Sequence, residues 1–379
     1  MLVGAFGNKT DFEMILHFFS DDIFSNYVIG QFSEPGMCSE FVLMTPTQET
    51  KYFHHFERVR RVTPYEKEEM DQVIASLSDY SAIILHGLFY PWCETILRSV
   101  PDKVKVAWEF WGGEIYGRRD LASGFKAPLT RFIDKLHTIK KQKSDSSWQL
   151  PLGLFQRIDY CLTAQKEEYE FAKAYLGSSR LKHLWYTYYS IEDTVGDLID
   201  MRSDGDNLWF CHNAFVESNA FDAAIKLFLS HRKHHRGRSV IMPLSYGSPW
   251  VKKAMNKLGP RLFDDFVPLT AFLPRTEYNR LMLRCSTMIL PCYRPAGQGN
   301  IITALWLGMR VYLSEHSISF DYFKRIGLII FSFESDFRTY GCQKLSDEEV
   351  LHNRNVLSIH FSHDSIKKAC INLVSVLNG

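Results

Sequence analysis

The chain has 379 residues, of which 46% are hydrophobic and 23% charged, and its net charge at pH 7 is +1. This balance excludes a largely disordered chain, and the near-neutral charge excludes a dedicated nucleic-acid binder, so we expect no nucleic acid among its partners. The length exceeds one ordinary domain of about 100 to 200 residues, and two domains are predicted.

The cysteines and the amino terminus indicate a cytoplasmic protein. The eight cysteines are scattered, several lie in apolar runs, and no Cys-x-x-Cys pair occurs, as is typical of reduced thiols in a protein core. The first residues, MLVGAFGNKTDFE, become polar too early for a signal peptide, and no apolar stretch reaches the roughly 18 residues of a membrane span. Any contact with a membrane is therefore expected to be peripheral.

Short β-rich runs alternate with helical stretches, which predicts sheets covered by helices. In the first half these runs are LVGAFG, FVLMTP, AIILHG, VKVAWEFWG, YCLTA and HLWYTY. A polar segment from Glu192 to Asn207 interrupts the pattern, which restarts with LWFCHN, VIMPL, FVPLTAF, TMILPCY, VYLSE and LIIFSF. We therefore predict two α/β domains, over residues 1–195 and 196–379. The last stretch, DSIKKACINLVSVLNG, predicts a packed terminal helix with Asp364 as its cap.

In open α/β sheets, ligands bind beyond the carboxyl ends of the strands, so the segments after the β-rich runs are the candidate sites. The sequence GAFGNKTDFEMILHFF predicts a strand, a loop and a helix, and Asn8 and Asp11 in the loop are candidate acceptor-binding residues. After AIILH, the imidazole of His86 is a candidate to orient a sugar hydroxyl or to act as a base. The alternative for His86 is a structural histidine with satisfied hydrogen bonds.

The run VKVAWEFWGGEIYGRRD combines two tryptophans, a glycine pair and an acid at the end of a strand. Aromatic platforms beside a carboxylate are typical of sugar binding, which makes Trp108, Trp111 and Tyr116 candidate acceptor-binding residues. The glycine pair turns the chain and leaves Glu114 at the strand's carboxyl end, as a candidate general base for an acceptor hydroxyl. The alternative is aromatic core packing with a solvated glutamate.

The stretch from Arg118 to Arg157 is basic, although the whole chain is nearly neutral. It holds nine cations against three acids, which favours an anionic membrane surface as a partner. Bulky apolar residues in the same stretch are available to enter the interface: Phe125, Leu129, Phe132 and Leu136. The alternative is a solvated helix followed by a flexible loop.

Two loops of the second half are candidates for binding a nucleotide or its phosphates. The loop after LWF contains Asn213, Ser218 and Asn219 before a predicted helix, and Ser218 or Asn219 is alternatively only a helix cap. The loop after VIMPL offers three residues for a nucleobase or a phosphate, with a plain turn as the alternative. These three residues are Ser245, Tyr246 and Gly247.

The segment RPAGQGN lies between the strand TMILPCY and the helical stretch IITALWLGM. Gly297 and Gly299 let the backbone approach a ligand, Asn300 is a candidate cap, and the helix amino terminus offers N–H groups. Arg294 adds a fixed positive charge. Together these features predict a diphosphate-binding site, with an ordinary glycine turn as the alternative.

No metal or other cofactor is predicted. The Asp-x-Asp sequence, Asp204 to Asp206, precedes its strand, whereas the metal site of a nucleotide-sugar enzyme needs carboxylates at a strand's exit. The histidines of SHRKHHRGRS are His231, His234 and His235. They lie among cations that repel a divalent ion, which predicts a solvated basic surface.

With these segments in hand, the chain resembles glycosyltransferase family 56 over nearly its full length. The resemblance runs in order through HGLFYPW, WEFWGGEIY, HNAFVESNAF, MPLSYG, LPRTEYNRLMLRCSTMIL and RPAGQGN. The family's Trp-x-x-Trp-Gly-x-acid-x-Tyr motif falls on residues 108–116, and its Arg-x-x-Gly-x-Gly loop falls on residues 294–299. The chain departs from the family at Glu114, where we associate the motif with an aspartate, and at Asn300, which replaces a threonine.

The resemblance implies a GT-B fold, in which two Rossmann-like domains face each other across a cleft. It implies a carboxy-terminal domain that binds a dTDP-sugar and an amino-terminal domain that binds a polyprenyl-diphosphate-linked glycan, without a metal. The sugar would be 4-acetamido-4,6-dideoxygalactose or a similar dideoxyhexose, transferred at the inner face of the bacterial inner membrane during synthesis of common antigen or O-antigen. The alternatives are a nucleotide-sugar 2-epimerase of similar fold and a non-catalytic glycan-binding protein.

Overall fold

The computed structural model describes residues 14–34, 36–47, 49–54, 56–141 and 148–379. The chain divides into two compact units. The first unit comprises Met1–Glu114, Ser147–Tyr188 and Ile366–Gly379, and the second comprises Ile115–Ser146 and Tyr189–Ser365. This division differs from a single break between residues 195 and 196, because each unit also includes a segment from the other half of the chain. The candidates Asn8 and Asp11 and the run LVGAFG lie outside the described residues.

The described helices are spread along the whole chain. In chain order they are α1 (Ser25–Phe32), α2 (Lys67–Ser76), α3 (Pro91–Ser99), α4 (Gly113–Tyr116), α5 (Arg119–Ala122), α6 (Pro128–Lys141), α7 (Lys166–Leu176), α8 (Ile191–Val195), α9 (Ala220–Ser230), α10 (Arg232–His235), α11 (Pro249–Leu262), α12 (Arg275–Met282), α13 (Gln298–Trp306), α14 (Ile318–Arg325), α15 (Phe337–Tyr340), α16 (Asp347–Phe361) and α17 (His363–Asn378).

The first unit is built on a parallel sheet. Its strands are β1 (Ile15–Phe19), β2 (Ser39–Met44), β3 (Val59–Val62), β4 (Ala82–His86), β5 (Lys105–Glu109), β6 (Tyr160–Leu162) and β7 (Lys182–Leu184). The strand order is β3-β2-β1-β4-β5-β6-β7, and every neighbouring pair is parallel. The order reverses between β1 and β4, because the chain first adds strands on one side of β1 and then on the other.

The segment ILHFF, which the sequence pattern assigned to a helix, is strand β1, so that prediction was wrong. All five residues of β1 are buried, as are all five of β4. Strands of a parallel sheet are covered on both faces and therefore read as continuous apolar runs, which resemble a buried helix in a short stretch. Each of these two strands carries one buried histidine, His17 in β1 and His86 in β4.

The terminal helix packs against the core of the first unit. Ile366, Cys370 and Leu373 on α17 belong to the same buried cluster as the apolar residues of β1 and β4. The predicted terminal helix is therefore confirmed. Its cap is not, because α17 begins at His363 and Asp364 lies in the first turn.

The second unit is built on a parallel sheet of six strands, β8 (Asn207–Phe210), β9 (Ser239–Pro243), β10 (Asp265–Leu269), β11 (Cys285–Leu290), β12 (Arg310–Leu313) and β13 (Phe331–Ser332). Their order is β10-β9-β8-β11-β12-β13, with all neighbours parallel. This order reverses between β8 and β11. Two Rossmann-like units with parallel sheets confirm the predicted α/β class.

Helix α6 belongs to the second unit. The backbone at its amino terminus is bound by Asp222 on α9 and by Asn219, the residue before α9. The carboxylate of Asp222 accepts the N–H groups of Leu129 and Thr130 at 2.8 and 2.7 Å. Asn219 Oδ1 accepts the N–H of Ala127 at 2.9 Å. These bonds satisfy N–H groups that a helix amino terminus leaves without intrahelical partners.

The histidines of SHRKHHRGRS do not form the solvated surface that the sequence predicted. His231 and His235 are buried, because their rings pack edge-on against Phe337 and Phe263 at 5.2 and 5.3 Å. Asp206 forms ion pairs with neighbouring arginine and lysine side chains. Within the described ranges, no three His, Cys, Asp or Glu side chains are grouped as metal ligands.

None of the helices in the described part of the chain has the length and apolar composition needed to cross a membrane.

Candidate functional site

The strand order of each sheet reverses at one point. In open parallel sheets, ligands bind where the strand order reverses, because the connections leave the sheet in opposite directions there. The reversal lies between β1 and β4 in the first unit and between β8 and β11 in the second. We describe the residues around these two points as the first-unit site and the second-unit site.

In the first-unit site, one oxygen of Glu114 accepts three hydrogen bonds. Oε1 lies 3.1 Å from Nε1 of Trp108, 3.3 Å from the backbone N of Leu88 and 3.4 Å from the backbone N of Trp111. Gly112 has a φ of +90°, which only glycine adopts readily, and it turns the chain after β5 so that Glu114 folds back onto the strand end.

Burial makes the carboxyl group of Glu114 a weaker acid than an ordinary glutamate. It raises the pKa of the carboxyl from its ordinary value of 4.5 to about 7, although the hydrogen bonds from Trp108, Trp111 and Leu88 oppose this rise. A group that is near half ionised at neutral pH meets the requirement for a general base. Glu109, at the end of β5, is also buried, and burial and then the charge of Glu114 raise its pKa well above the ordinary range.

Trp108 and Tyr116 do not offer sugar-binding surfaces, so these two predictions need correction. Trp108 is fully buried and packs against Phe110 and Phe155 at 4.8 and 5.2 Å. Its contribution to the site is the hydrogen bond to the carboxylate. Tyr116 is also buried, with its ring edge-on to Phe125 at 5.0 Å.

Trp111 is the partly exposed aromatic residue of the predicted motif. Its indole stands edge-on to Phe24 at 5.2 Å and contacts Phe89 at 5.8 Å. Its Nε1 donates to the hydroxyl of Tyr188 at 3.2 Å. Phe89 and Tyr90 follow β4 and are exposed. The aromatic surface of the first-unit site is therefore formed by Trp111 with Phe89, whereas Tyr90 stacks on Trp92 at 6.2 Å.

His86 has both ring nitrogens in hydrogen bonds. Nε2 lies 3.1 Å from Nδ1 of His17, and Nδ1 lies 2.8 Å from the hydroxyl of Tyr188. Burial lowers the pKa of His86 to about 3. A neutral imidazole with both nitrogens engaged does not suit the predicted role of a base, and it fits the structural alternative.

In the second-unit site, the loop after β11 leads directly into α13. Gly297 precedes the helix with a φ of +68°, a conformation that favours glycine. Arg294 is half-buried in the same loop, and its Nη1 lies 3.4 Å from the carbonyl of Pro295. The amino terminus of a helix carries partial positive charge. The loop therefore brings a guanidinium and a helix amino terminus to the carboxyl end of β11.

Gly299 and Asn300 serve packing within the unit. A Cβ atom at Gly299 would lie 2.9 Å from the ring of Tyr189, so the missing side chain makes room for that ring. Asn300 is the third residue of α13 and donates to the hydroxyl of Tyr278 at 3.1 Å. The prediction that Asn300 caps the helix was therefore wrong, because Gly297 occupies the cap position.

The polar residues of the loop after β8 bind other parts of the protein. Asn213 Oδ1 accepts the N–H of Phe215 at 2.8 Å, and Ser218 Oγ donates to the carbonyl of the same residue at 2.7 Å. Asn219 donates to the carbonyl of Pro291 at 3.2 Å, in addition to binding the segment before α6. All three are buried. They hold the loop in shape, and neither Ser218 nor Asn219 caps α9 through its side chain.

The loop after β9 is tied to the loop after β8. Ala214 and Gly247 form a β-bridge, and Ala214 N donates to the carbonyl of Tyr246 at 3.0 Å. A Cβ atom at Gly247 would lie 2.5 Å from the carbonyl carbon of Ala214, so only glycine permits this approach. Tyr246 is half exposed and edge-on to Phe215 at 5.8 Å, whereas Ser245 is half-buried.

His212, which the sequence analysis passed over, lies at the centre of the second-unit site. Its Nδ1 is 3.8 Å from Sγ of Cys292, across the reversal between β8 and β11. A Cβ atom at Gly297 would lie 3.2 Å from its ring. Burial and then the charge of Arg294 lower the pKa of His212 to about 3. Cys211 has a φ of +60°, a strained value for a non-glycine residue that is common at functional sites.

Comparison with known proteins identifies the fold. No family model matches the sequence, and no characterised protein matches it by sequence. The structure is similar to a variant of the O-GlcNAc transferase of Thermobaculum terrenum, with a TM-score of 0.61 and 13% identity, over 97% of this chain and 68% of that one. It is also similar to an alpha-glucosyltransferase in complex with UDP and DNA, with a TM-score of 0.58 and 10% identity, over 96% of this chain and 99% of that one.

A third similar structure is the Anabaena protein HepE in complex with UDP and glucose, with a TM-score of 0.58 and 10% identity, over 96% of this chain and 100% of that one. At these identities the likeness shows the fold. The chain has the two-domain GT-B fold of glycosyltransferases, which confirms the predicted fold class.

Proposed function

We propose that the chain is a glycosyltransferase that moves a sugar from a nucleoside diphosphate donor to a glycan acceptor. The observation that carries this proposal is the loop between β11 and α13, where Arg294, Gly297 and the helix amino terminus meet at the strand reversal of the second unit. Such an arrangement suits a diphosphate. The structural neighbours that contain UDP support a nucleotide as the occupant.

The proposed reaction divides its work between the two units. Glu114 accepts the proton of the acceptor hydroxyl as that oxygen attacks the anomeric carbon of the donor sugar. The bond from the anomeric carbon to the diphosphate breaks, and the positive charge of Arg294 and of the α13 amino terminus stabilises the leaving group. His212 contributes a neutral imidazole beside the same loop. Arg294 and the α13 amino terminus supply the positive charge, so the proposed reaction uses no metal or other cofactor.

The resemblance to glycosyltransferase family 56 supports a finer proposal for the substrates. The motif around Trp111 and Glu114 and the loop from Arg294 to Gly299 carry that resemblance. We propose a dTDP-linked 4-acetamido-4,6-dideoxyhexose as the donor and a polyprenyl-diphosphate-linked glycan as the acceptor. The product would belong to a surface polysaccharide, either common antigen or O-antigen.

An anionic membrane surface is the proposed docking partner, at the cytoplasmic face of the inner membrane. On α6, Phe132 and Leu136 are 61% and 47% exposed, and Arg131 and Lys135 are exposed on the same helical face. Leu129 packs against the core of the second unit, so it is not available as predicted. Apolar residues flanked by cations suit the interface of an anionic leaflet. Three further basic residues of this stretch have side chains outside the description: Lys140, Lys141 and Lys143.

A transfer assay tests the function. The purified chain is incubated with dTDP- and UDP-sugars, including dTDP-4-acetamido-4,6-dideoxygalactose, with and without a polyprenyl-diphosphate-linked glycan in detergent. We expect free nucleoside diphosphate and an enlarged lipid-linked glycan only when donor and acceptor are both present, and the Glu114→Gln variant serves as the matched control. A 2-epimerase would alter the nucleotide sugar without an acceptor, and a glycan-binding protein would consume no donor. Either result would contradict the proposal.

A further inference from the structure

A chain of buried polar side chains runs under the first-unit site. The indole nitrogen of Trp111 lies 3.2 Å from the Tyr188 hydroxyl, which lies 2.8 Å from Nδ1 of His86. Nε2 of His86 lies 3.1 Å from Nδ1 of His17, and Nε2 of His17 lies 3.2 Å from Oγ of Ser39. Four consecutive hydrogen bonds thus link the partly exposed Trp111 to β2, across β1 and β4.

Both histidines use both of their ring nitrogens in this series of hydrogen bonds. An indole nitrogen can only donate, so the Tyr188 oxygen accepts from Trp111. Burial lowers the pKa of His86 to about 3 and that of His17 well below its ordinary range, so both imidazoles are neutral. A neutral imidazole donates at one ring nitrogen and accepts at the other, so each histidine joins the series through one donor and one acceptor.

Aromatic packing holds the same residues in place. The ring of Phe24 is stacked on Tyr188 at 5.3 Å and stands edge-on to Trp111 at 5.2 Å. A Cβ atom at Gly87 would lie 3.1 Å from Phe89 and 3.6 Å from Trp111. Because buried polar groups are costly unless they are paired, a fully paired network is rigid and has one preferred arrangement.

We propose that the Ser39–His17–His86–Tyr188 chain fixes the orientation of the Trp111 indole, so that its exposed face forms a preset platform for the acceptor sugar. His86 and Tyr188 are then positioning residues and exchange no proton with substrate. The acceptor sugar as the ligand of this platform rests on the proposed function, whereas the fixed orientation of the Trp111 indole is independent of it.

The test uses the full chain labelled with 5-fluorotryptophan, with the Trp111→Phe variant to assign the Trp111 resonance. Tyr188→Phe keeps the ring and removes the hydroxyl. We expect it to shift and broaden the Trp111 resonance, and His86→Gln should shift the same resonance. Tyr186→Phe is the matched control, because the Tyr186 hydroxyl donates to Gln31 at 2.7 Å, outside the chain, and it should leave the resonance in place.

In the transfer assay, Tyr188→Phe should raise the KM for the lipid-linked acceptor about five- to tenfold and change kcat less than about twofold, because a platform acts in binding. An unchanged Trp111 resonance in both variants, or a fall in kcat at constant KM, would overturn the proposal. If the wild-type protein transfers no sugar, the proposed function fails, and the Trp111 resonance alone then decides whether the chain orients the indole.

Discussion

Glu114 accepts the indole N–H of Trp108 with one carboxylate oxygen at a distance of 3.1 Å. Because Trp108 is fully buried on β5, between β4 and β6, this bond anchors the carboxylate to the end of a strand that is paired on both sides. Burial also raises the pKa of Glu114 to about 7. Trp108, a core residue, therefore positions Glu114, the group whose carboxyl titrates.

The variant Glu114→Gln should keep the fold and nucleotide binding but lower kcat by about 10²- to 10⁴-fold, since an amide cannot accept the acceptor's proton. Glu109→Gln is the matched control. Glu109 is buried, and burial and then the charge of Glu114 raise its pKa well above the ordinary range, which favours the neutral form that the amide resembles. Near-normal turnover of Glu114→Gln, or an equal loss in Glu109→Gln, would contradict the assignment.

The same variant has a defined effect on stability. Folding raises the pKa of Glu114 from 4.5 to about 7, so the folded state binds this proton more tightly than the unfolded state. The resulting stability is present below about pH 4.5 and is lost as the pH rises through about 7. Thermal unfolding at pH 8 should therefore find Glu114→Gln at least as stable as the wild type, and a clearly lower midpoint would mean that the carboxylate itself stabilises the fold.

The pH dependence of transfer tests the bond from Trp108. For the wild type, kcat/KM should rise with pH through about 7, because only the ionised carboxylate is a base. Trp108→Phe removes a donor that stabilises this ionised form, so the midpoint should move up by about half to one unit. Phe155→Leu, which alters packing against the same ring, should leave the midpoint in place. A downward shift in Trp108→Phe would contradict the prediction.

Arg294→Ala should weaken the binding of UDP and dTDP by about 1.5 to 3 kcal/mol, through loss of a charge-assisted hydrogen bond to phosphate. Titration calorimetry measures this loss. The control is Arg284→Ala. Arg284 is exposed and directly precedes the amino end of β11, whereas Arg294 follows the carboxyl end of the same strand. Unchanged affinity in a folded Arg294→Ala protein would place the diphosphate elsewhere.

His212 should contribute to donor binding as a neutral hydrogen-bond donor. His212→Ala is expected to weaken UDP-glucose binding about tenfold, and His212→Gln, which keeps a donor, only about threefold. Because burial and Arg294 lower the pKa of His212 to about 3, wild-type affinity for UDP-glucose should be constant from about pH 6 to pH 8. Equal affinities of the wild type and His212→Ala would exclude a contact with the donor.

The sequence predicted the six strands of the second unit, but in the first unit it assigned β1 to a helix and missed β3, whose run VRRV is half basic. Runs such as VIMPL are continuously apolar and are bounded by polar residues, which is typical of buried parallel strands. The run ILHFF has the same character, but it follows DFEM without a turn residue, and a short apolar run of this kind fits a helix equally well. The error also hid His17, the partner of His86.

Roles within the site depended on partners that are distant in the sequence. Arg294 and Glu114 follow recognisable strands, so their loops could be predicted from the sequence. The roles of Asn219 and Gly299 could not, because Asn219 binds Ala127, 92 residues away, and Gly299 accommodates the ring of Tyr189. A polar or small residue in a loop looks the same in sequence whether it binds a ligand or another segment of the protein.

The exposed face of α6 should bind anionic bilayers in a salt-dependent way. Arg131 and Lys135 each contribute about 1 kcal/mol of attraction when they are close to an anionic surface, and dissolved ions screen that attraction. The protein should therefore co-sediment with phosphatidylglycerol vesicles at low salt and be released as ionic strength rises. Replacing both cations with glutamate should abolish co-sedimentation, and binding that persists would exclude this face as the electrostatic contact.

The apolar residues of that face, Phe132 and Leu136, are tested separately. Phe132→Ser with Leu136→Ser removes the side chains that enter the interface, so vesicle binding should fall at least about tenfold even at low salt, while UDP affinity stays unchanged. The matched control is Leu351→Ser with Ile359→Ser on α16, because these residues are 60% and 69% exposed and also lie on one helical face. If both double variants lose vesicle binding equally, the effect comes from general exposed hydrophobicity. If the α6 variant binds vesicles as the wild type does, Phe132 and Leu136 do not contact the membrane.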